Sequence, residues 1–127
     1  MKKCILIFDD DYEILLVCKV ILEQQNYHVE TRERCENIIQ DLMELKPDIV
    51  LIDLWIPQIG GENAVSLIKN NEDTKHIPVL LFSANDEIDK IFKRTNANGY
   101  LKKPFEISAL VQIIKANILE KKLKEGQ

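Results

Sequence analysis

The chain has 127 residues, of which 46% are hydrophobic and 30% charged, and its 17 basic and 21 acidic side chains give a net charge of −4. These values are typical of one globular domain, and the negative net charge argues against a generally basic nucleic-acid surface. No run approaches the roughly 18 apolar residues of a membrane span, and Asp9 interrupts the N-terminal apolar run too early for a secretory signal. We therefore expect a cytoplasmic protein without a membrane segment.

Short apolar strands alternate with longer amphipathic helices along the whole chain. The pattern predicts strands over 3–8, 27–31, 48–54, 77–82 and 99–102, and helices over 12–25, 32–45, 62–70, 86–94 and 106 to about 122. Strands that are apolar along their whole length are buried on both faces, which is typical of parallel sheets covered by helices. The sequence therefore predicts an α/β fold, and the aspartates after the first strand can cap the helix that follows.

The three cysteines, Cys4, Cys18 and Cys35, are odd in number and widely spaced, and no CxxC pair occurs. The two histidines, His28 and His76, are isolated. We interpret the cysteines as small core or partly buried side chains, with a zinc site or a disulfide as the alternatives.

Polar side chains follow four of the predicted strands. Asp9 and Asp10 follow the first, Asp53 lies near the end of the third, Ser83 follows the fourth and Lys103 the fifth. Because the carboxyl ends of parallel strands meet at one edge of a sheet, we expect these side chains to converge. Each has an ordinary explanation alone, such as helix capping or surface exposure, but their convergence by chance is much less expected.

Three neighbouring carboxylates repel one another unless a cation neutralises them. Their oxygens suit Mg²⁺ or Mn²⁺, and the lack of thiolates or imidazoles nearby in the sequence argues against zinc. A carboxylate can attack phosphorus, and a metal, a lysine and a hydroxyl can each bind one oxygen of the phosphoryl group in transfer. Neither a GxxxxGK[ST] nor a GxGxxG motif is present, so a nucleotide-binding enzyme is not expected.

Four segments in this order resemble the receiver domain of two-component response regulators, and the resemblance covers nearly the whole chain. The segments are ILIFDDD, DIVLIDLWIP followed by Gly60 and Gly61, VLLFSA, and GYLKKPF. The resemblance implies a doubly wound, flavodoxin-like parallel sheet of five strands in the order 2-1-3-4-5 with five helices. It assigns residues 1–122 to the receiver domain and leaves 123–127 as a C-terminal tail.

The resemblance also implies a role for each residue of the site. Asp53 is the phosphoacceptor, Asp10 binds Mg²⁺ directly, Asp9 binds it through water, and the backbone carbonyl of Trp55 completes the protein ligands. Lys103 is the lysine of the site, and its peptide bond to Pro104 is expected to be cis.

The same resemblance implies a switch. Ser83 is the switch hydroxyl, Ala84 offers its backbone amide to the phosphoryl group, and Tyr100 is the switch aromatic. Phosphorylation would then alter the face formed by the fourth helix, the fifth strand and the fifth helix. The apolar residues Ile88, Ile91 and Phe92 of the fourth helix indicate either a partner surface or partial burial.

A receiver takes its phosphoryl group from a sensor histidine kinase or a histidine phosphotransfer protein and acts on a target protein or a fused output domain. It is not a conventional enzyme, and we expect no direct nucleic-acid binding by this chain. One alternative is a pseudo-receiver that binds partners without phosphorylation. A second is a haloacid-dehalogenase-type phosphatase, which is disfavoured because Trp55 stands where that family has a second acid. Trp55 and the neutral Asn85 both depart from the commonest receiver pattern, so we expect Trp55 to shield the phosphoryl group and slow its hydrolysis.

Overall fold

Five parallel strands, each followed by a helix, make up the computed structural model, which describes residues 2–125 and the side chains up to Leu119. The strands are β1 (Cys4–Phe8), β2 (His28–Arg32), β3 (Ile49–Asp53), β4 (Val79–Ser83) and β5 (Gly99–Lys102). The helices are α1 (Tyr12–Gln24), α2 (Ile38–Leu45), α3 (Gly61–Lys69), α4 (Ile88–Lys93) and α5 (Ile107–Glu125). The sheet order is β2-β1-β3-β4-β5, which confirms the predicted doubly wound α/β fold.

The sheet separates two apolar layers. Helices α2, α3 and α4 pack on one face, and α1 and α5 pack on the other. Successive residues of β1 alternate between the layers, since Leu6 and Phe8 belong to the first and Ile5 and Ile7 to the second. Burying one such side chain fully contributes about 1.5–3 kcal/mol, so both layers hold the central strands, and the loops at their ends, in fixed positions.

Helix α1 begins where the aspartates after β1 end the strand. The carboxylate of Asp11 accepts hydrogen bonds from the amides of Glu13 at 3.0 Å and Ile14 at 3.4 Å. This is the N-cap that the sequence predicts, because an aspartate oxygen satisfies amides that have no partner within the helix.

Helix α2 is shorter than predicted. The sequence pattern predicts a start at residue 32, but Arg32 extends β2, where it pairs with Phe8 of β1, and the helix begins at Ile38. Asn37 caps it, accepting a hydrogen bond from the amide of Gln40 at 3.1 Å. The pairing partner of Arg32 lies far away in sequence, so local helix propensity gave the wrong boundary.

Cys18 and Cys35 are fully buried, Cys4 is half-buried, and all three are free thiols, as predicted. Burial raises the pKa of both Cys18 and Cys35 to about 12. Helix α5 continues to Glu125, past residue 122. Within residues 2–125, no helix has the length and apolarity that crossing a membrane requires.

Candidate functional site

The predicted polar side chains meet at the carboxyl edge of the sheet. Lys103, which directly follows β5, places its Nζ 2.6 Å from Oδ2 of Asp9 and 3.1 Å from Oδ1 of Asp53. Asp9 follows β1 and Asp53 ends β3, and these two strands are neighbours in the sheet. Ser83 ends β4 on the other side of β3, so four strands contribute to one site.

The three charged groups are largely removed from water. Asp9 is 1% exposed and Asp53 is 6% exposed. Burial raises the pKa of Asp9, although its hydrogen bonds with Lys103 and with the amide of Asp11 act in the opposite direction. Burial alone would lower the pKa of Lys103, but the hydrogen bond with Asp9 and the charge of Asp53 outweigh it, and the pKa is raised. Lys103 therefore remains an ammonium ion, which also lies 4.4 Å from the ring centroid of Phe82.

Asp10 adds a third carboxylate at the exposed rim of the same site. One carboxylate oxygen from each of Asp9, Asp10 and Asp53 lies within 4.8 Å of the other two. Three carboxylates with one ammonium leave two negative charges, which one divalent cation would neutralise. The donors are all oxygens, and this donor set fits Mg²⁺ or Mn²⁺ rather than zinc.

The loop after β3 orients the Asp53 carboxylate through a backbone hydrogen bond. The amide of Trp55 donates to Oδ2 of Asp53 at 3.1 Å, and the amide of Gly61 donates to the carbonyl of Leu54 at 2.9 Å. A Cβ at Gly61 would lie 2.7 Å from the Cα of Leu54 and 2.8 Å from the carbonyl oxygen of Asp53. Glycine is therefore required where α3 begins, because the helix starts in direct contact with the backbone of the acidic residue.

Gly60 is required for a different reason. Its φ of 77° lies in the left-handed region, which residues with a Cβ rarely adopt. The space around it is open, since a Cβ there would meet no atom within 4 Å. Trp55, in contrast, projects its side chain outwards and is 66% exposed. The ring therefore lies in solvent at the rim of the site, two residues beyond Asp53.

Ser83 and the residues after it form the side of the site nearest β4. Ser83 is fully buried, and its Oγ accepts a hydrogen bond from the amide of Asn85 at 3.0 Å. The backbone carbonyl of Ser83 accepts a hydrogen bond from the amide of Lys103 at 2.9 Å. Ala84, which lies between Ser83 and Asn85 in the sequence, is exposed. The Lys103–Pro104 peptide bond is cis, as predicted.

Tyr100 lies on β5 and its ring contacts α4. Its side chain is 36% exposed, and its ring centroid lies 5.1 Å from that of Phe92 at an interplanar angle of 44°. Of the three apolar residues that suggested a partner surface on α4, Ile88 and Ile91 are buried in the core. Phe92 and Tyr100 are therefore the partly exposed aromatic residues where α4 meets β5.

Two ion pairs near the site have no counterpart in the sequence prediction. Arg94, directly after α4, donates to both carboxylate oxygens of Glu62 in α3, and Lys102 lies 2.8 Å from Asp86. Glu62 and Arg94 are 32 residues apart, so no local pattern connects them. Exposed apolar residues on α1 were also missed, and they include Leu16, Val17 and Val20.

Comparisons with known proteins agree with this arrangement. The family model of the response regulator receiver domain matches residues 5–115 of this sequence. The phosphate regulon transcriptional regulatory protein PhoB of Klebsiella pneumoniae is 30% identical over 118 residues, which cover 91% of this chain and 52% of the relative. The nisin biosynthesis regulatory protein NisR of Lactococcus lactis subsp. lactis is 33% identical over 117 residues, covering 90% of this chain and 49% of the relative.

The chain thus spans about half the length of the curated relatives it matches. Among solved structures, that of a putative response regulator from Chloroflexus aurantiacus J-10-fl is similar with a TM-score of 0.87 and 27% identity, covering 94% of this chain and 99% of that one. By fold, site and sequence match, the chain belongs to the response regulator receiver domains, the phosphoacceptor modules of two-component signalling.

Proposed function

We propose that Asp53 accepts a phosphoryl group from a histidine kinase or a histidine phosphotransfer protein and that this changes how the chain binds its target. The observation that carries the proposal is the position of Lys103, whose ammonium bridges Asp9 and Asp53 beside the buried hydroxyl of Ser83. This arrangement places a nucleophilic carboxylate, a fixed cation and a hydroxyl around one small space. Each is suited to a different oxygen of a transferring phosphoryl group.

In the transfer step, a carboxylate oxygen of Asp53 attacks phosphorus in line with the nitrogen of the donor phosphohistidine. The C–O–P linkage forms as the P–N bond breaks, and the electron pair leaves with the donor imidazole. Lys103 then remains charged and donates to a phosphoryl oxygen, replacing part of its bond to Asp53. The amide of Trp55, now bonded to Oδ2, keeps the carboxylate oriented during the attack.

Asp9, Asp10, Asp53 and the backbone carbonyl of Trp55 are the groups that would hold Mg²⁺ or Mn²⁺, which would neutralise charge on the phosphoryl oxygens. Asp9 is buried and bonded to Lys103, so it orients the lysine and would also help to hold the metal. Asp10 is exposed at the rim, where it meets solvent and an arriving ion first. With Lys103 and a bound metal ion in place, the chain would also support its own phosphorylation by small phosphodonors and its own dephosphorylation.

The switch begins at Ser83. Its hydroxyl gives up the hydrogen bond from the amide of Asn85 and donates to a phosphoryl oxygen, while the amide of Ala84 donates to another. This movement leaves space beside Tyr100, whose ring turns inwards from its half-exposed position against Phe92. The α4–β5–α5 face then changes shape, and it is the surface we assign to a downstream protein or a fused output domain.

Several further assignments accompany the proposal. Residues 1–122 act as the receiver domain and 123–127 as a tail, of which 123–125 continue α5 and 126–127 lie outside the described residues. The relatives are named as transcriptional regulators, but the net charge of −4 supports target binding by this chain through protein contacts rather than directly to nucleic acid.

The test is intact-mass spectrometry after incubation with acetyl phosphate and Mg²⁺, comparing the wild type with Asp53→Asn. The proposal predicts one added phosphoryl group on the wild type and none on the variant or without the metal. Beryllofluoride, which mimics a phosphoryl group that cannot be hydrolysed, is added in a second arm, with the fluorescence of Trp55 as readout. If neither reagent acts on the wild type while Mg²⁺ still binds, the chain is a pseudo-receiver and the proposal is wrong.

A further inference from the structure

The ion pair between Glu62 and Arg94 joins the start of α3 to the residue that directly follows α4. The Nη2 of Arg94 donates to one carboxylate oxygen at 2.6 Å and the Nε donates to the other at 3.2 Å. Such a bidentate contact fixes both the distance and the relative orientation of the two side chains, which a single hydrogen bond does not. A polar cleft of about 260 Å³ lies beside it, lined also by Asn63, Ser66 and Asn96.

The Glu62 end of the pair belongs to the frame of the phosphoacceptor. Glu62 follows Gly61, whose backbone is pressed against Leu54 and the carbonyl of Asp53. A side chain at this position therefore has its Cα held in a fixed place relative to Asp53. Arg94, at the other end of the pair, directly follows α4, so its position depends on that of the helix.

Helix α4 is held weakly by its apolar contacts. It has six residues, and only Ile88 and Ile91 of them are buried. An element with few buried side chains has low local stability, so surface contacts contribute a larger share of what holds it. Its preceding loop is also tied by the ion pair of Asp86 with Lys102, the residue before the lysine of the site.

The same loop connects α4 to the switch hydroxyl. Oγ of Ser83 accepts from the amide of Asn85, and the side chain and carbonyl of Asn85 accept from the amides of Glu87 and Ile88. When Ser83 turns towards a phosphoryl oxygen, the loop that leads into α4 loses the hydrogen bond between the amide of Asn85 and Oγ of Ser83. Because Glu62 does not move with α4, a shift of the helix stretches the Glu62–Arg94 contact.

We propose that the Glu62–Arg94 pair is a positioning contact that holds α4 in the unphosphorylated arrangement and thereby opposes occupation of the phosphoryl site. The inference rests on the proposed function. Coupling between two sites is reciprocal, so a contact made only without the phosphoryl group must weaken binding of that group by the same factor. For an exposed ion pair, this factor is about two- to five-fold.

The experiment titrates beryllofluoride at saturating Mg²⁺ and follows the fluorescence of Trp55, the only tryptophan. Arg94→Gln is the decisive variant, because removing a positive charge weakens anion binding by simple electrostatics, whereas the proposal predicts about two- to five-fold tighter binding. Glu62→Gln is expected to tighten binding similarly. The charge swap Glu62→Arg with Arg94→Glu restores the pair and is expected to return the affinity towards that of the wild type.

Lys93→Gln is the matched control, since it removes the same charge from the exposed surface of α4 without breaking the pair. Its affinity is expected to equal that of the wild type or to be slightly weaker. The melting temperature without ligand is expected to fall only slightly in Arg94→Gln and Glu62→Gln, by what the exposed pair contributes to the ligand-free fold. A merely structural role would produce this fall without any tighter binding of beryllofluoride.

The outcomes are distinct. If the wild type responds to beryllofluoride but Arg94→Gln binds it equally or more weakly, the positioning role is wrong and the proposed function stands. If the wild type responds neither to beryllofluoride nor, by mass spectrometry, to acetyl phosphate, the proposed function is overturned, and the inference with it.

Discussion

Replacing Gly61 by alanine would push directly on the backbone that carries Asp53, the proposed phosphoacceptor. The added Cβ would lie 2.7 Å from the Cα of Leu54 and 2.8 Å from the carbonyl oxygen of Asp53. Since non-bonded carbon atoms approach to about 3.5 Å, the loop must move by roughly 0.5–0.8 Å. Both contacts are with backbone, so no side-chain rotation can relieve them.

The expected cost has two parts. Overpacking of this kind destabilises a fold by about 1–3 kcal/mol. Catalytic groups tolerate displacements of only about 0.5 Å, and a misplacement near 1 Å can slow a reaction about 100-fold. For Gly61→Ala we therefore expect phosphorylation by acetyl phosphate to be about ten-fold slower at saturating Mg²⁺.

Gly60→Ala is the control for this prediction. The position has a φ of 77° but open space around it, so alanine costs backbone strain of about 1–3 kcal/mol without pushing on Asp53. Urea unfolding should show both variants destabilised to a similar degree, while the rate of phosphoryl-adduct formation, measured by mass spectrometry, should fall in Gly61→Ala alone. An equal loss of rate in both variants would refute the reasoning.

Three further predictions concern the charge, the rim and the thiols. Lys103→Met leaves two neighbouring carboxylates without their cation, so we expect a loss of about 3 kcal/mol in urea unfolding without metal, and a larger stabilisation by added Mg²⁺ than in the wild type. If the Trp55 ring at the rim slows the access of water to the phosphoryl group, the decay of the adduct in Trp55→Ala, followed by mass spectrometry, should be at least about two-fold faster. Cys18 and Cys35 are fully buried and burial raises their pKa to about 12, whereas Cys4 is only half-buried, so iodoacetamide should modify Cys4 first in the native protein.

Each of these predictions has its own contrary result. Lys102→Met removes an exposed lysine and is expected to leave stability without metal nearly unchanged, so equal losses in the two lysine variants would contradict the role of burial. Equal decay rates with and without the tryptophan ring would mean that it does not shield the site. Modification of Cys18 or Cys35 as fast as that of Cys4 would show that the native core opens readily.

Much of the fold could be read from the sequence, because continuous apolar strands have few alternatives. The five strands lie where predicted to within two residues at each end, and Asp11 caps α1 as expected. The start of α2 was wrong because Arg32 pairs with Phe8, and pairing across a sheet leaves no local trace. Local pattern locates elements well and their boundaries less well.

The site follows the same division. That Asp9, Asp53, Ser83 and Lys103 converge could be predicted, since topology alone brings strand ends together. Whether the apolar residues of α4 face a partner could not, because helices of six residues are too short for periodicity to separate two faces. The Glu62–Arg94 bridge depends on side-chain reach between loops and lies beyond any pattern in one sequence.

The bridge made by Lys103 has a consequence for synthesis of the chain on the ribosome. Its bonds join residues 94 and 50 positions apart, and the lysine follows the last strand of the sheet. A nascent chain that has exposed only β1 to β4 carries its acidic residues without their cation, and the carboxylates repel one another. Under the proposed function, the phosphoryl site is therefore complete only when β5 is paired and Lys103 bridges Asp9 and Asp53.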